Sequence, residues 1–244
     1  MTVLFVSDLH LCPTRPVLTG LFCDFLKDVV PGSDALYLLG DLFEYWAGDD
    51  DLDDPFNARI CAAIKACELP KYVLPGNRDF LFGAAFCAAT GTTLLPDEIV
   101  HEIAGTRTLL LHGDTLCTDD VAYQDFRRMV RDPQWQQAFL ARPLAERKAQ
   151  IEQLRLQSEQ QKQQKSMAIM DVNRDAVIDA FRRHDVATMI HGHTHRLASH
   201  YYDVYGKRCV RHVLGDWHDH MNGGNYLACS ADGWQRGQWW PETE

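Results

Sequence analysis

A chain of 244 residues that is 46% hydrophobic can bury a sizeable core, as one large domain or as a domain carrying an insertion. Its formal net charge of −10 excludes general nucleic-acid binding, and no run approaches the ~18 apolar residues of a membrane span. The opening, MTVLFVSDLH, has no basic leader and reaches an acid at Asp8, so no secretory signal is expected; eight scattered cysteines without a CxxC pair then read as reduced, mostly buried thiols in a cytoplasmic chain.

The first apolar run, Val3-Leu4-Phe5-Val6, predicts a strand buried on both faces, and it runs into Ser7-Asp8-Leu9-His10. A helical pattern covers 17–29. The second strand, 35–39, ends in Gly40-Asp41, and a second helix follows over 56–67. Tyr72-Val73-Leu74 leads into PGNRD at 75–79, and Thr108-Leu109-Leu110-Leu111 into His112-Gly113-Asp114. From 121 to 170 strand-like runs vanish, Gln and Arg abound, and Pro133 and Pro143 break the helical pattern, so this stretch reads as an insertion between 1–120 and 171–244. A helix over 171–184 and a fifth strand over 186–190 lead to His191-Gly192-His193-Thr194-His195; the pieces over 207–240 are expected to form a meander. Strands alternating with helices indicate an α/β fold.

Each of the five strands ends in a Gly or Ser turn bearing Asp, His or Asn, and open α/β sheets bind ligands beyond the carboxyl ends of their strands. One such ending is usually just a turn; five in one chain point to a site. These side chains are oxygen and nitrogen donors, suited to Mn, Fe, Zn or Mg rather than to a thiolate centre. Asp8, His10, Asp41, Asn77, His112, His193 and His195 make seven candidates. Seven are too many for one tetrahedral ion and suit two ions about 3.5–4 Å apart that share a carboxylate. Asp41, alone after its glycine, is the choice for the shared group. Two divalent ions, two carboxylates and a hydroxide leave the centre near +1, so it attracts an anion, and such a pair generates hydroxide at neutral pH. The natural reaction is hydrolysis of a phosphate ester or anhydride.

Other polar residues read differently. Asp79 and Asp114 are expected to accept hydrogen bonds that orient their neighbours. His191 reads as structural, GDWHDH at 215–220 as a structural turn, and His101, His184 and His200 as surface or loop residues; Glu44 is equally a structural or a catalytic acid. Over 121–165 nine Arg and Lys outnumber five acids, so the segment is +4 and the rest of the chain −14. Ser158, Lys162 and Lys165 share one helix face, which Ile151 and Leu154 continue as an apolar stripe. A ligand with acyl chains and phosphates requires such a gradient; a solvated helix face explains the charge equally well.

SDLH, GDLFE, GNRD, LHGD and HGHTH, in that order, resemble the calcineurin-like metallophosphoesterases. The resemblance implies a four-layer α/β/β/α sandwich. It assigns Asp8, His10, Asp41 and His195 to one metal and Asp41, Asn77, His112 and His193 to the other. Many members carry His after the Asn, where this chain has Arg78. An arginine is always charged and cannot donate the proton an alkoxide needs. A departing phosphate, with a second pKa about 6, needs none, and a guanidinium pairs bidentately with its oxygens. Arg78 therefore points to a pyrophosphate substrate.

The Arg variant, with LHGDTLCTDD and KSMAIMDVN, resembles over nearly the whole chain the branch of that family that hydrolyses UDP-2,3-diacylglucosamine in lipid A biosynthesis. This implies two Mn²⁺ ions, cleavage to UMP and 2,3-diacylglucosamine 1-phosphate, and a peripheral position on the cytoplasmic face of the inner membrane. It implies catalytic roles for Asp41, Asn77, Arg78 and His112, and substrate contacts at Asn77, Arg78, Asp120, Ser158, Lys162, Lys165 and His193; Lys162 stands where relatives carry Asn. The insertion is then expected to form a lid, with Trp135, Phe139, Leu140, Leu144, Ile151 and Leu154 as its apolar surface. No nucleic acid or protein partner is inferred. The alternatives are a phosphoesterase of soluble nucleotides or phosphoproteins and a non-catalytic scaffold, which the intact set of seven disfavours.

Overall fold

The structure is a computed structural model that describes residues 1–164, 171–218 and 224–240, with side chains excepted at 157 and 159–164. Its first half runs β1 (Val3–Val6), α1 (Pro16–Asp28), β2 (Ala35–Leu39), α2 (Pro55–Lys65), β3 (Lys71–Leu74), α3 (Ala84–Thr90), β4 (Thr93–Leu94), β5 (Glu98–Ile103) and β6 (Thr106–Leu111). There follow α4 (Val121–Arg131), α5 (Pro133–Leu140), α6 (Leu144–Gln164), α7 (Arg174–His184), β7 (Thr188–His191), β8 (Ala198–Val204), β9 (Lys207–Val213), β10 (Gly224–Ser230) and β11 (Gly233–Trp239).

Strands that are apolar at every position need a packed layer on each face, and the chain supplies both. Val3 and Phe5 of β1 enter a core between two sheets, while Leu4 and Val6 enter one beneath α1 and α2. β2 divides the same way, with Ala35, Tyr37 and Leu39 inward and Leu36 and Leu38 toward the helices. On the far face of the second sheet, Leu109, Leu111 and Met189 meet Val177, Ala180 and Phe181 of α7. Three cores between four layers make an α/β/β/α sandwich.

The sheets are ordered β11-β10-β1-β2-β3-β4 and β5-β6-β7-β9-β8. β1, β2 and β3 are mutually parallel, as are β6, β7 and β9. Their parallel arrangement is what lets the carboxyl ends of β1, β2, β3, β6 and β7 gather their turns in one place.

The stretch 207–240 is not a meander. β9 lies in the second sheet between β7 and β8, whereas β10 and β11 form a hairpin of the first sheet beside β1. Alternation tells which face of a strand is buried but not which sheet it joins. The fifth strand begins at Thr188, because Val186 closes the end of α7 by donating its N–H to Phe181 O at 3.2 Å. His101 and His200 lie in β5 and β8 rather than in loops; His101 Nδ1 is 3.0 Å from Tyr37 Oη. His184 is the last residue of α7 and pairs with Glu98 at 3.0 Å.

The helices of 121–164 break where the prolines stand. Pro133 opens α5 behind Asp132, whose carboxylate accepts from Gln134 N and Trp135 N, and α6 starts after Pro143. Phe139 is buried in the core beneath α1 and α2, with Trp135 and Ile151 packed against it, so these three hold the segment down rather than offering an apolar surface. The exposed apolar side chains here are Val121, Met129, Leu140 and Leu156. All eight cysteines are free thiols, and Cys12 and Cys87 are the two not buried.

Candidate metal centre

The seven candidates meet at the strand ends. Asp8, His10, Asp41, His193 and His195 all have positive φ, between 49° and 64°. Among the described residues the other three non-glycine residues in that region, Ala104, Asp185 and Tyr205, sit in turns or at a helix end. Left-handed backbone in non-glycine residues is uncommon, and its concentration here marks a place where geometry has been imposed. The strand ends also approach too closely for side chains at their glycines. A Cβ on Gly192 collides with the Asp8 carboxylate and the Ser7 hydroxyl, and one on Gly40, itself at φ +88°, lies 2.5 Å from His112 Nδ1.

Asp41 faces two ways. Its Oδ2 is 3.8 Å from His10 Nε2 and its Oδ1 3.7 Å from His112 Nε2. Asn77 Oδ1 lies 3.0 Å from His112 Nε2 and 2.9 Å from His193 Nδ1. On the other side, His195 Nε2 is 3.3 Å from Asp8 Oδ1, a buried oxygen with no aligned donor. Ligand atoms of Asp8, His10 and His195, and of Asp8, Asp41 and His112, fall within 4.8 Å of one another, each group able to hold a metal ion. A buried carboxylate oxygen without a donor, beside ring nitrogens that carry lone pairs when neutral, is what a divalent cation satisfies. The donors fit the group.

Three of the four rings turn Nδ1 to a partner, which leaves Nε2 for the centre, whereas His193 presents Nδ1 to Asn77 Oδ1. His112 Nδ1 donates to Leu39 O at 2.9 Å, His195 Nδ1 is 2.9 Å from Asp216 Oδ2, and His10 Nδ1 is 3.4 Å from Glu44 Oε2. Burial alone lowers the pKa of His195, but the neighbouring carboxylates of Asp216 and Asp8 overcome that and push it up to about 10. Burial, aided by the charge of His112, takes His193 down to about 4. Burial also opposes ionisation of Asp8, yet His195, His112 and His10 together hold its carboxyl well below the usual range.

Asp79 ties two turns together. It accepts from Asp41 N at 3.2 Å, Leu42 N at 2.7 Å, Phe43 N at 3.3 Å and Gly76 N at 2.8 Å, while burial and the charge of Asp41 raise it to about 6. Asp114 accepts from Tyr123 Oη at 2.6 Å and Arg127 Nε at 2.7 Å. Both are acceptors, in line with their sequence reading. His191 is buried, with Nδ1 donating to Gly192 O at 2.8 Å and Nε2 facing Arg211 Nη1 at 2.8 Å.

The other candidates distribute as follows. Arg78 Nη1 lies 3.6 Å from Glu44 Oε1, and Arg155 Nη2 from α6 lies 2.7 Å from the same oxygen. Glu44 thus joins His10, Arg78 and the inserted helix, and is held ionised near about 2: burial opposes, but His10, Arg78 and Arg155 outweigh it. Asp120 caps α4, accepting from Tyr123 N at 3.1 Å, and Ser158 is half-buried on α6. The side chain of Lys162, and Lys165, Asp219 and His220, lie outside the described residues. Sequence reasoning missed Asp216, Tyr123 and Arg155. Arg155 had a signal, since it precedes Ser158 by three residues on the same helix face; Asp216 had none beyond the motif that was set aside as a turn.

The family model for calcineurin-like phosphoesterases matches residues 1–197. A protein of Aromatoleum aromaticum named UDP-2,3-diacylglucosamine hydrolase is 53% identical over 221 residues, covering 90% of each chain. Proteins of the same name from Xanthomonas campestris pv. campestris and Escherichia fergusonii are 48% and 47% identical, covering 96% and 95% of this chain and 97% and 96% of theirs. A dimetal phosphatase from Danio rerio superposes with a TM-score of 0.51 at 14% identity, over 98% of this chain and 95% of that one, an agreement of fold alone. The chain belongs to the calcineurin-like phosphoesterase family.

Proposed function

We propose that the chain hydrolyses the pyrophosphate bond of UDP-2,3-diacylglucosamine, giving UMP and 2,3-diacylglucosamine 1-phosphate for lipid A biosynthesis, with two Mn²⁺ as resident ions. The name shared by its relatives supports the substrate. One observation carries the dinuclear reading: Asp41 turns one oxygen toward His10 and the other toward His112. Asp8, His10, Asp41 and His195 would hold one ion, and Asp41, Asn77, His112 and His193 the other. When bound, the pair lowers the pKa of water toward neutrality and offsets charge on the phosphoryl oxygens.

The chain's own groups do the rest. Asp8 stays ionised, and the Leu39 carbonyl keeps His112 Nε2 aimed inward. Arg78, steadied by Glu44, offers its fork to the departing phosphate, which leaves without a proton. Residues 121–170 act as a lid, with Ser158, Lys162 and Lys165 on the substrate's sugar and phosphates and Asp120 at the lid's entry. Exposed Val121, Met129, Leu140 and Leu156 support acyl-chain and membrane contact at the cytoplasmic face, each buried CH₂ being worth about 0.8 kcal/mol. Among the described residues no helix is long and apolar enough to cross a membrane, which fits a peripheral position.

The test is turnover of UDP-2,3-diacylglucosamine by chelator-stripped protein with and without Mn²⁺. Restoration of UMP release by Mn²⁺ is expected. Cleavage of a small chromogenic phosphodiester with no action on the lipid nucleotide would favour the soluble-substrate alternative.

A further inference from the structure

α4 presents one side to half of the centre. Tyr123, Arg127 and Arg131 are four residues apart and line one face of the helix. The ring of Tyr123 stacks on His193, with centroids 6.0 Å apart and planes at 29°, and its hydroxyl donates to Asp114 Oδ2 at 2.6 Å. Arg127 Nε donates to that same oxygen at 2.7 Å, and its Nη2 to Asp97 Oδ2 at 2.6 Å. Arg131 Nη1 takes the other Asp97 oxygen at 2.7 Å, while its Nη2 donates to Gly76 O at 2.8 Å. The guanidinium of Arg131 also lies 5.1 Å over the ring of Phe80. The loop 76–80 is therefore gripped at both ends by one side chain.

The loops touched by this face are those of His193, of His112 (two residues before Asp114) and of Asn77 (next to Gly76). His112 Nε2 and His193 Nδ1 both face Asn77 Oδ1, and Asp41 Oδ1 lies 3.7 Å from His112 Nε2, so these three residues and Asp41 make one donor set. The opposite donor set is steadied by other groups, Asp216 on His195 and Glu44 on His10. Each guanidinium forks between two acceptors, and charge-assisted contacts shielded in this way fix geometry better than exposed ones.

We propose that the Tyr123–Arg127–Arg131 face of α4, with Asp97 as its bridge, is the positioning element of the Asn77–His112–His193 subsite, and that it sets the affinity of that one metal position without touching the ion. The inference rests on the dinuclear reading above. It makes the inserted segment part of the metal centre's support as well as a cover.

Mn²⁺ titration of chelator-stripped protein, followed by calorimetry and electron paramagnetic resonance, tests it. Wild type takes up two ions with an exchange-coupled signal. Arg131→Met keeps one site within about twofold and weakens the other by about 10–100-fold, the usual cost of losing an outer partner; at low loading its spectrum becomes the six-line pattern of isolated Mn²⁺. Arg131→Lys, which keeps one charged contact, recovers part of the loss. Tyr123→Phe, which keeps the ring, gives a smaller loss at the same site. Asp97→Asn, nearly the same in volume, replaces Arg131→Met if that variant melts. Equal weakening of both sites, or unchanged binding at both, overturns the proposal. A wild-type chain that binds a single ion overturns the dinuclear reading instead.

Discussion

The sandwich and the inserted helices are held by different forces. α1 buries Leu18, Leu21, Phe22, Phe25 and Leu26, and α7 buries Val177, Ala180 and Phe181. α4 buries only Val130 and α5 only Phe139, and among the described side chains of α6 the buried one is Arg147. Arg147 donates to Ala47 O and Arg142 O and pairs with Asp50; Lys148 pairs with Asp51 at 2.6 Å; Arg155 pairs with Glu44; Arg127 and Arg131 share Asp97. The basic excess of the segment answers acids of the core. Burial of apolar area is not weakened by ionic screening, whereas partly exposed ion pairs are worth about 0–1 kcal/mol each and are screened. The segment is thus docked in register but is cheaper to detach than any layer of the sandwich.

The widest separation between function and both regions comes from Asp41→Ala. Turnover is expected to fall on the order of a thousandfold or more, with the melting curve close to wild type; a folded variant that keeps most of its activity would falsify the shared-carboxylate reading. Next, Phe181→Ala removes the ring that α7 sets against the second sheet and is expected to cost about 3–5 kcal/mol in urea unfolding, a loss that added salt leaves unchanged. Arg147→Met strands the buried Ala47 carbonyl, while exposed Asp50 remains hydrated, and is expected to cost about 1–3 kcal/mol. Hydrogen exchange locates that loss: faster exchange in α6 with α7 unchanged fits ionic docking, and faster exchange in both contradicts it.

The smallest effect concerns pH in chelator-stripped protein. His195 is raised to about 10 from its ordinary 6.5, so its contribution to stability is complete below about pH 6.5 and is lost as pH rises through 10. Wild type should therefore lose a few degrees of melting temperature between pH 7 and 10 that His195→Gln does not lose. Equal slopes for the two proteins would show that Asp216 and Asp8 do not stabilise the charged ring.

What could be read before the fold was known follows the same divide. β1, β2 and β6 were legible because residues apolar on both faces leave a continuous run. β5 (EIVHEI) and β8 (ASHYYDV) are edge strands, half-exposed and polar, and carry no such run. The seven candidate site residues were legible because each sits in a short motif directly after a strand. Their supports were not, because each reaches its ring from another part of the chain: Asp216 to His195, Glu44 to His10, Tyr123 to His193. A motif shows the group that acts; the partner that holds it is defined only by three-dimensional proximity.

The left-handed backbone at Asp8, His10, Asp41, His193 and His195 limits what can replace them. Asp, Asn and His are the side chains that tolerate that conformation best, after glycine. All three types are also donors that the chemistry uses. Drift at these five positions is therefore channelled: β-branched and bulky residues are rejected on conformational grounds alone, whatever becomes of activity. A descendant that had abandoned catalysis would still be expected to show Asp, Asn, His or Gly there. Retained aspartates at positions 8 and 41 are accordingly weak evidence that a relative is active. Asn77 and His112, which lie outside that conformation, are the more informative positions to compare.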